Sequence, residues 1–332
     1  MGEVTEISWT HHTFNPWTGC VRISEACRFC YAETFSDRFN QPSLWGPDAK
    51  RKMASEKYWN DPIRWNKKAE AAGERRRVFC ASMSDIFEDR RDLDEPRKRV
   101  AGLIERTPWL DWLLLTKRPE HVNELADRAG MFHNGGFLSN VWMGTTTENQ
   151  EMLDERAPEL INIKARIRFL SCEPLLGPIK IPQMALANLP VSMGLSLDGN
   201  TIHRARDIHW VIVGGESGDH ARPMHPEWAR SIIQQCRRAE VPVHFKQNGQ
   251  WMLRERGVGQ FNTAATHNRD RLVDMDGNVH WSKEAAGPEA VPMSKVGKKA
   301  AGCLIDATVG LEPGLGMMGL KPGLAEYKEF PK

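Results

Sequence analysis

Three cysteines near the N-terminus offer the strongest chemistry in this sequence. Cys20, Cys27 and Cys30 follow the pattern C-x6-C-x2-C in a predicted loop between a first strand and a helix. Three thiolates on one loop can ligate three irons of a [4Fe-4S] cluster, which leaves the fourth iron open to an external ligand. Because S-adenosylmethionine (SAM) can chelate such an iron through its amino and carboxylate groups, the pattern predicts a radical centre.

The same cysteines allow a second interpretation, a structural zinc site. Cys-x2-Cys is a common zinc half-site, and His11 or His12 could supply a further ligand. The remaining cysteines are scattered, and Cys80 and Cys236 fall in apolar patterns typical of a core. Since the total of seven is odd and three members form one tight group, a disulfide framework is not expected.

Short apolar runs alternate with amphipathic stretches and predict an α/β fold. Near-continuous β-branched and aromatic runs are typical of strands buried on both faces, and helical patterns between them indicate parallel βαβ units. We therefore predict a partial or complete (β/α) TIM-like barrel over residues 1–250, with a cluster loop at 11–33 and an inserted loop at 183–208. The predicted strands are 7–9, 78–81, 112–115, 141–143, 167–170, 210–213 and 243–245.

Residues 251–332 are predicted to form a C-terminal extension. Two short β-type runs flank Asp276 and Gly277, a dipeptide that favours a type I′ hairpin turn. The segment after Asp306 is rich in Gly, Pro and Met and is predicted to be loop-like.

Polar residues directly follow the predicted strands of the barrel. The carboxyl ends of barrel strands lie on one face, which carries the active site. Charged side chains there are costly to desolvate unless they are paired or used, so we predict substrate or catalytic roles for them. The candidates are Lys117, Glu173, Glu216 and Lys246, with Arg118 and Gln247 as further contacts. The alternative is a structural role, for example an ion pair between Lys117 and Glu173.

The cysteine segment resembles the radical SAM superfamily, whose cysteines follow the first strand with an aromatic residue just before the third. Phe29 matches that aromatic residue, whereas the first gap has six residues instead of three. The chain more closely resembles the phage and bacterial three-Cys-motif family, over residues 5–250 and the GKKAAG segment. It departs from that family at 183–208 and after Asp306. The resemblance is carried by residues 15–33, 82–85, 116–119, 148–149, 173–178, 214–218 and 297–302.

The resemblance implies a [4Fe-4S] cluster, held by the three cysteines beside Phe29, and a SAM site. The implied SAM contacts are Ser82, Ser84 and Asp85 for the methionyl amino group, Thr147, Glu148 and Asn149 for the ribose, and Val213, Gly214 and Gly215 for the adenine. Gly214 and Gly215 could instead form only a tight turn. An electron donor such as flavodoxin or ferredoxin is the expected protein partner.

The overall charge is close to neutral, with 45 Lys and Arg against 43 Asp and Glu, so no global field steers the protein to nucleic acid. Residues 50–77 differ, because ten Lys and Arg residues there are interleaved with Tyr58, Trp59 and Trp65. Such a run can bind phosphates and stack bases, although a solvated helix face is the commoner explanation.

Together these features predict a cytoplasmic radical SAM enzyme, in the host cytoplasm if it is phage-encoded. The predicted substrate is a nucleic acid or nucleotide, in particular a thymine-derived base of phage DNA, because modifying an unactivated carbon requires radical chemistry. A peptide or small metabolite is the alternative substrate, and a zinc-stapled nucleic-acid-binding protein without radical chemistry is the alternative function. No apolar run approaches the roughly 18 residues that span a bilayer, so no membrane partner is expected.

Overall fold

The computed structural model describes residues 5–39, 43–186, 189–195, 201–204, 207–253, 270–280, 290–295, 298–301, 305–306, 324–325 and 329–331. The chain divides into two compact units. The first unit is Met1–Thr146 with Asp154–Leu170, and the second is Thr147–Leu153 with Ser171–Lys332. Within the described ranges, no helix is both long enough and apolar enough to cross a bilayer.

The described secondary structure alternates between strands and helices up to β13. The strands are β1 (His12–Thr13), β2 (Trp17–Thr18), β3 (Lys52–Met53), β4 (Arg76–Cys80), β5 (Leu110–Thr116), β6 (Phe132–His133), β7 (Gly136–Phe137), β8 (Val141–Thr146), β9 (Ile167–Cys172), β10 (Leu189–Leu195), β11 (Thr201–Arg204), β12 (Trp210–Gly214), β13 (Val243–Gln247), β14 (Trp251–Leu253), β15 (Asp270–Val273), β16 (Val279–His280), β17 (Val291–Lys295), β18 (Ile305–Asp306) and β19 (Leu324–Ala325). The α-helices are α1 (Tyr31–Asp37), α2 (Glu56–Trp59), α3 (Asp61–Ala72), α4 (Asp94–Glu105), α5 (Val122–Arg128), α6 (Gln150–Ile161), α7 (Gln183–Leu186), α8 (Pro226–Arg238) and α9 (Lys298–Ala301).

Seven of these strands form one parallel sheet in the order β1-β4-β5-β8-β9-β12-β13. The order follows the chain, and the register places His12 opposite Val78 and Val78 opposite Trp112. Because β1 and β13 stand at the two ends of the order, the sheet is a curled half-barrel and not a closed one. The predicted α/β fold with a partial (β/α) barrel is confirmed.

The first strand of the sheet begins later than predicted. Residues 7–9 form no strand, and His12–Thr13 pairs with β4 instead. Trp9 is buried with its ring 4.6 Å from that of Phe79, and its carbonyl accepts a hydrogen bond from Arg77 Nε at 3.0 Å. The apolar pattern at 7–9 therefore reflects burial of Trp9 beside β4, and not strand pairing.

The helices bury the faces that their spacing predicts. In α4, Val100, Leu103 and Ile104 are buried at positions one turn apart. The helix α8 begins at Pro226, and the preceding His225 accepts a hydrogen bond from the backbone N–H of Glu227 through Nδ1 at 3.1 Å. This end therefore combines a side-chain cap with a proline at the first helical position. The buried residues of α8 are Trp228, Ala229, Ile232, Ile233 and Cys236.

The described C-terminal residues include a four-stranded antiparallel sheet in the order β14-β17-β15-β16. In the turn between β15 and β16, Gly277 has a φ of 91° and the Asp274 carboxylate accepts hydrogen bonds from the N–H groups of Asp276 and Asn278. In the predicted insertion at 183–208, the described residues form α7 and the antiparallel pair β10–β11. Most of the Gly/Met-rich segment, residues 307–323, lies outside the described residues.

Candidate functional site

The three N-terminal cysteines lie where the chain passes from β2 to α1. Cys20 follows β2, Cys27 ends a 3-10 turn at Glu25–Cys27, and Cys30 directly precedes α1. All three are free and partly buried. Cys20 and Cys30 pack against one small apolar cluster, which consists of Ala32, Leu44, Trp45 and Met83. The structure therefore holds three free thiols on a single loop of the first unit.

Hydrogen bonds fix this loop to the segment that follows β4. The Asn15 side chain accepts from the N–H of Met83 at 2.8 Å and donates to the Ser82 hydroxyl at 3.1 Å. The Gly19 N–H donates to the Met83 carbonyl at 3.0 Å, and the Tyr31 hydroxyl donates to the Ser82 carbonyl at 2.6 Å. The predicted group at 82–85 thus lies beside the cysteine loop.

Within that group, the Ser84 hydroxyl oxygen is buried and has no hydrogen-bond partner among the described residues. An unmade hydrogen bond of a buried hydroxyl is unfavourable, because the group has lost its water without gaining a protein partner. Ser84 is therefore the member of the group with capacity left for a ligand.

The Asp85 carboxylate is saturated by the protein itself. It accepts from the Thr116 hydroxyl at 2.7 Å, the Lys117 N–H at 3.0 Å and Arg118 Nη1 at 2.9 Å. The Phe87 N–H adds a fourth bond at 3.0 Å. Burial acts to raise the pKa of this carboxyl, but Arg118 and the hydrogen bonds outweigh it and lower the pKa. The amino group of a bound SAM would have to displace one of these partners.

Two cations at the end of β5 act on the thiols. Arg118 Nη1 lies 3.8 Å from Cys20 Sγ, and Nη2 donates to the Val21 carbonyl at 2.9 Å. Burial raises the pKa of the Cys20 thiol to about 12, with Asp85 adding to the shift and Arg118 opposing it. The pairing with Asp85 outweighs burial at Arg118, so the pKa of its guanidinium rises.

The other two thiols differ from each other in acidity. Burial acts to raise the pKa of Cys27, but the Lys117 ammonium and backbone hydrogen bonds outweigh it, so the pKa is lowered. At Cys30 burial dominates and the pKa is raised. Phe29, between them, lies under the Arg28 guanidinium, 5.3 Å from the ring centroid. Lys117, which was predicted as a catalytic group, therefore acts electrostatically on the thiols of the cysteine loop.

The three thiols are the metal-binding side chains that the cysteine loop itself provides. Among the described residues, no group of three or more His, Cys, Asp or Glu side chains has the arrangement of a formed metal site. His12 stacks on Trp65 at 4.4 Å, and His11 Nδ1 accepts from the Arg77 N–H at 2.9 Å. The stacking of His12 and the Nδ1 hydrogen bond of His11 fix the positions of these two imidazoles in the first unit.

In the second unit, the ends of β9 and β13 bring together three predicted residues. Lys246 Nζ lies 2.7 Å from Glu173 Oε1, and Gln247 Nε2 donates to the same oxygen at 3.2 Å. Gln247 Nε2 also donates to the Gly215 carbonyl at 3.2 Å. Both charged side chains are mostly buried, and the cation paired to Glu173 is Lys246.

Glu216 makes a second ion pair in this unit. Its carboxylate accepts from Arg222 Nη2 at 2.6 Å, from Arg222 Nε at 2.9 Å and from the Arg222 N–H at 2.8 Å. Glu216 is buried, and its ion pair with Arg222 joins the two ends of the segment between these residues. The geometry at Glu216 is that of a structural contact.

The two glycines predicted near adenine are required by packing within the second unit. A Cβ on Gly215 would lie 2.3 Å from the Asn248 carbonyl oxygen, and one on Gly214 would lie 3.3 Å from the Glu173 carboxylate. Val213 is fully buried within β12. Close backbone approach thus explains Gly215, whereas the neighbour of Gly214 is the Glu173 side chain.

The residues predicted near the ribose follow β8. The Thr147 hydroxyl is 3.3 Å from Cys172 Sγ, and the Asn149 side chain accepts from the Met152 N–H at 2.9 Å in the first turn of α6. Glu148 is fully buried, and its carbonyl accepts from the Leu176 N–H at 2.7 Å. Asn149 thus caps a helix, and Glu148 is a buried carboxylate of the same group.

The basic stretch at 50–77 does not form a base-stacking surface from its aromatic rings. Trp59 and Trp65 are buried, and the Tyr58 hydroxyl donates to the Thr13 carbonyl at 3.0 Å. Arg51 is buried in an ion pair with Glu88. The stacking part of that prediction is wrong, because these rings belong to the core of the first unit. The exposed lysines of the stretch are Lys50, Lys52, Lys57, Lys67 and Lys68.

Sequence reasoning missed the groups that hold the cysteine loop. The Arg51 guanidinium donates to Glu88, to the carbonyls of Leu44 and Ala49, and to that of Gly46. Nothing in the spacing of Arg51 and Glu88 signals this contact, because the two residues are far apart in the chain. The dipeptide of Asn15 and Pro16, just before the cysteines, was the one local signal of a fixed turn.

The fold and the cysteine loop define an α/β protein with a parallel half-barrel and three free thiols after its first strand. The chain belongs to the family described as protein of unknown function DUF5131, whose model matches residues 4–310. This family model does not name the three-Cys-motif family, so membership of that family stays a prediction. No curated protein matches the chain.

Solved structures with a similar fold include mutants of spore photoproduct lyase. A mutant with bound AdoMet and dinucleoside spore photoproduct has 14% sequence identity and a TM-score of 0.40, over 79% of this chain and 69% of that chain. A second mutant of the same enzyme has 14% identity and a TM-score of 0.39, over 86% of this chain and 72% of that chain. Likeness at this level does not establish shared chemistry or a shared substrate.

Proposed function

We propose that this protein is a radical SAM-type enzyme in which Cys20, Cys27 and Cys30 ligate a [4Fe-4S] cluster. The observation that carries the proposal is three free thiols on one loop after the first strand of a parallel half-barrel, with cations from β5 beside the sulfurs. With SAM on its open iron, such a cluster supplies a 5′-deoxyadenosyl radical on reduction.

The protein itself must stabilise three cysteine thiolates in a partly buried position. Thiols must lose their protons to bind a metal, and burial opposes that loss. Lys117 favours the thiolates of Cys27 and Cys30, and Arg118 favours that of Cys20. Lys117 is therefore proposed to act through the cluster ligands.

For SAM, the unpartnered Ser84 hydroxyl and the adjacent Ser82 are the proposed contacts of the methionyl amino group. Within the second unit by itself, Glu148 is a proposed binding residue for ligand hydroxyl groups, because a buried carboxylate is a strong acceptor for hydroxyl donors. The pair of Glu173 and Lys246 is the proposed acid–base or substrate-binding group at the strand ends of that unit.

The first experiment measures cluster loading. Anaerobically reconstituted wild-type protein should be brown and bind about four irons and four sulfides per chain. Replacing Cys20, Cys27 or Cys30 with Ala should abolish the visible spectrum and most of the iron. The matched control is Cys236→Ala, since Cys236 is buried in α8 and should leave loading intact. A colourless wild-type protein that retains zinc would refute the proposal in favour of the zinc-stapled alternative.

The second experiment measures SAM binding and cleavage. With a strong one-electron reductant, the loaded protein should convert SAM to 5′-deoxyadenosine. Ser84→Ala should weaken SAM binding by about tenfold at most, because one neutral hydrogen bond is worth about 0.5–1.5 kcal/mol. The control is Ser55→Ala, whose hydroxyl accepts from the Tyr58 N–H at the start of α2. Equal SAM affinity in wild type and in both variants would remove Ser84 from the site.

We propose a nucleobase as substrate, in particular a thymine-derived base in phage DNA, with a peptide or small metabolite as the alternative. The exposed lysines at 50–68 support it, because lysine side chains can contact phosphates. A base within a duplex could not reach a buried radical centre, so the substrate would be a flipped base, a single strand or a free nucleotide.

Salt dependence tests this substrate class. Binding of single-stranded DNA should weaken with salt, with a slope of about 0.7 per neutralised phosphate. Replacing Lys50, Lys52, Lys57 and Lys67 together with Gln should flatten the slope, and Lys98→Gln on α4 is the control. Turnover of a peptide without turnover of DNA or nucleotides would favour the alternative.

A further inference from the structure

Arg118 joins the end of β5 to the cysteine loop through three contacts. Its side chain is almost fully buried, with 8% of its surface exposed. Nη1 lies 2.9 Å from Asp85 Oδ2 and 3.8 Å from Cys20 Sγ, and Nη2 lies 2.9 Å from the Val21 carbonyl oxygen. One guanidinium thus contacts a carboxylate, the first cysteine and the peptide that follows that cysteine.

The surrounding hydrogen bonds fix both ends of this arginine. Its backbone N–H donates to the Thr116 hydroxyl at 2.9 Å, and that hydroxyl donates to Asp85 Oδ1 at 2.7 Å. The second oxygen of Asp85 accepts from the Lys117 N–H and from the guanidinium. The carboxylate is therefore the support that aims the guanidinium at Cys20.

A buried ion pair of this kind is weak evidence that its only role is to stabilise the fold. Removing two charges from water is costly, and apolar side chains of similar volume often stabilise a fold as well. A cation beside a sulfur ligand, by contrast, has a direct chemical effect. Positive charge and N–H donors close to ligand sulfurs favour the more negative, reduced form of an iron–sulfur cluster.

We propose that Arg118, aimed by Asp85, is a positioning residue that holds Cys20 for ligation and raises the reduction potential of the cluster. This inference rests on the proposed function. It gives Asp85 the task of orienting Arg118 instead of binding the amino group of SAM, in keeping with its four protein partners.

The test measures the midpoint potential and the iron content of reconstituted full-length protein. Arg118→Met removes the charge and should lower the potential. At the wild-type midpoint, the ratio of reduced to oxidised cluster should fall at least tenfold, which is about 59 mV for a one-electron couple. Arg118→Lys restores a charge and should recover part of the shift. Asp85→Asn keeps a side-chain oxygen that can accept from Arg118, so the guanidinium stays aimed while the counter-charge is lost, and the potential should move in the opposite direction.

Arg22→Met is the matched control, because Arg22 lies on the same loop but pairs with Glu33 in an exposed position. It should leave the midpoint unchanged. If Arg118→Met does not fold, the near-isosteric Asp85→Asn and the conservative Arg118→Lys still test the inference. The result is then the direction in which each variant shifts the midpoint potential. An unchanged midpoint in the variants of Arg118 and Asp85, with a cluster present, overturns the inference alone. A wild-type protein without any cluster overturns the proposed function as well.

Discussion

Gly19 is the position at which a single methyl group should do most damage to the cysteine loop. Its φ is +115°, and a Cβ there would lie 2.4 Å from the Leu44 carbonyl oxygen and 3.0 Å from Arg51 Cδ. Gly46 provides a matched comparison, because its φ of +117° is almost the same while no atom lies within 4 Å of its Cβ position. The two substitutions by Ala thus share one backbone cost and differ in the steric contact.

The magnitude follows from these contacts. A φ near +115° costs an alanine about 1–3 kcal/mol, which should be the whole effect of Gly46→Ala. In Gly19→Ala the obstacle is a backbone carbonyl, so the loop must move. That movement should break the hydrogen bond from the Gly19 N–H to the Met83 carbonyl, which is worth about 1 kcal/mol. The overpacking itself adds a cost of about 1–3 kcal/mol. We expect Gly19→Ala to destabilise the protein by about 3–7 kcal/mol.

Urea unfolding of the protein without iron gives the two free energies, and anaerobic reconstitution gives the iron bound to each variant. Gly19→Ala should also lose cluster loading, because the displaced backbone directly precedes Cys20. Gly46→Ala should load normally. Equal free energies of unfolding for the two variants, or normal iron content in Gly19→Ala, would refute the steric reasoning.

Two further predictions concern stability. Arg51→Met leaves the Glu88 charge buried and should cost about 3–5 kcal/mol in urea unfolding, whereas Arg76→Met breaks an exposed pair with Glu74 and should cost less than about 1 kcal/mol; similar costs would contradict this view. Burial, with Arg77 nearby, lowers the pKa of His11 to about 4 from 6.5, so the unfolded chain binds a proton that the folded chain excludes. The stability that His11 contributes is therefore complete above pH 6.5 and lost as the pH falls towards 4. His11→Gln should show a smaller loss between pH 7 and pH 4.5, and an identical loss would contradict the assignment.

The alternation of apolar and amphipathic stretches was sufficient to predict the parallel sheet, because strands buried on both faces must be apolar along their whole length. It was not sufficient at the first strand. Trp9 gave residues 7–9 an apolar character through a contact with Phe79, and only the register of His12 with Val78 shows which residues pair. Short apolar runs report burial, and burial has more than one cause.

The candidate site was less predictable, since a charged residue at a strand end gives no indication of its partner. Glu216 pairs with Arg222, six residues later, and Glu173 pairs with Lys246. Asp85 had the composition of a ligand-binding carboxylate, but its acceptor sites are filled by groups from 87 and 116–118. Hydrogen-bond saturation is a property of three-dimensional neighbours, and residue type alone does not encode it.

The choice between zinc and an iron–sulfur cluster depends on how many ligands the loop provides. A structural zinc site is closed by four protein ligands, so three cysteines need a fourth donor. The histidines that the sequence offered are engaged, with His12 stacked on Trp65 and His11 bonded to the Arg77 N–H. A cluster that binds SAM requires three cysteines and an iron without a protein ligand. Iron and zinc content of the purified protein decides between the two proposals.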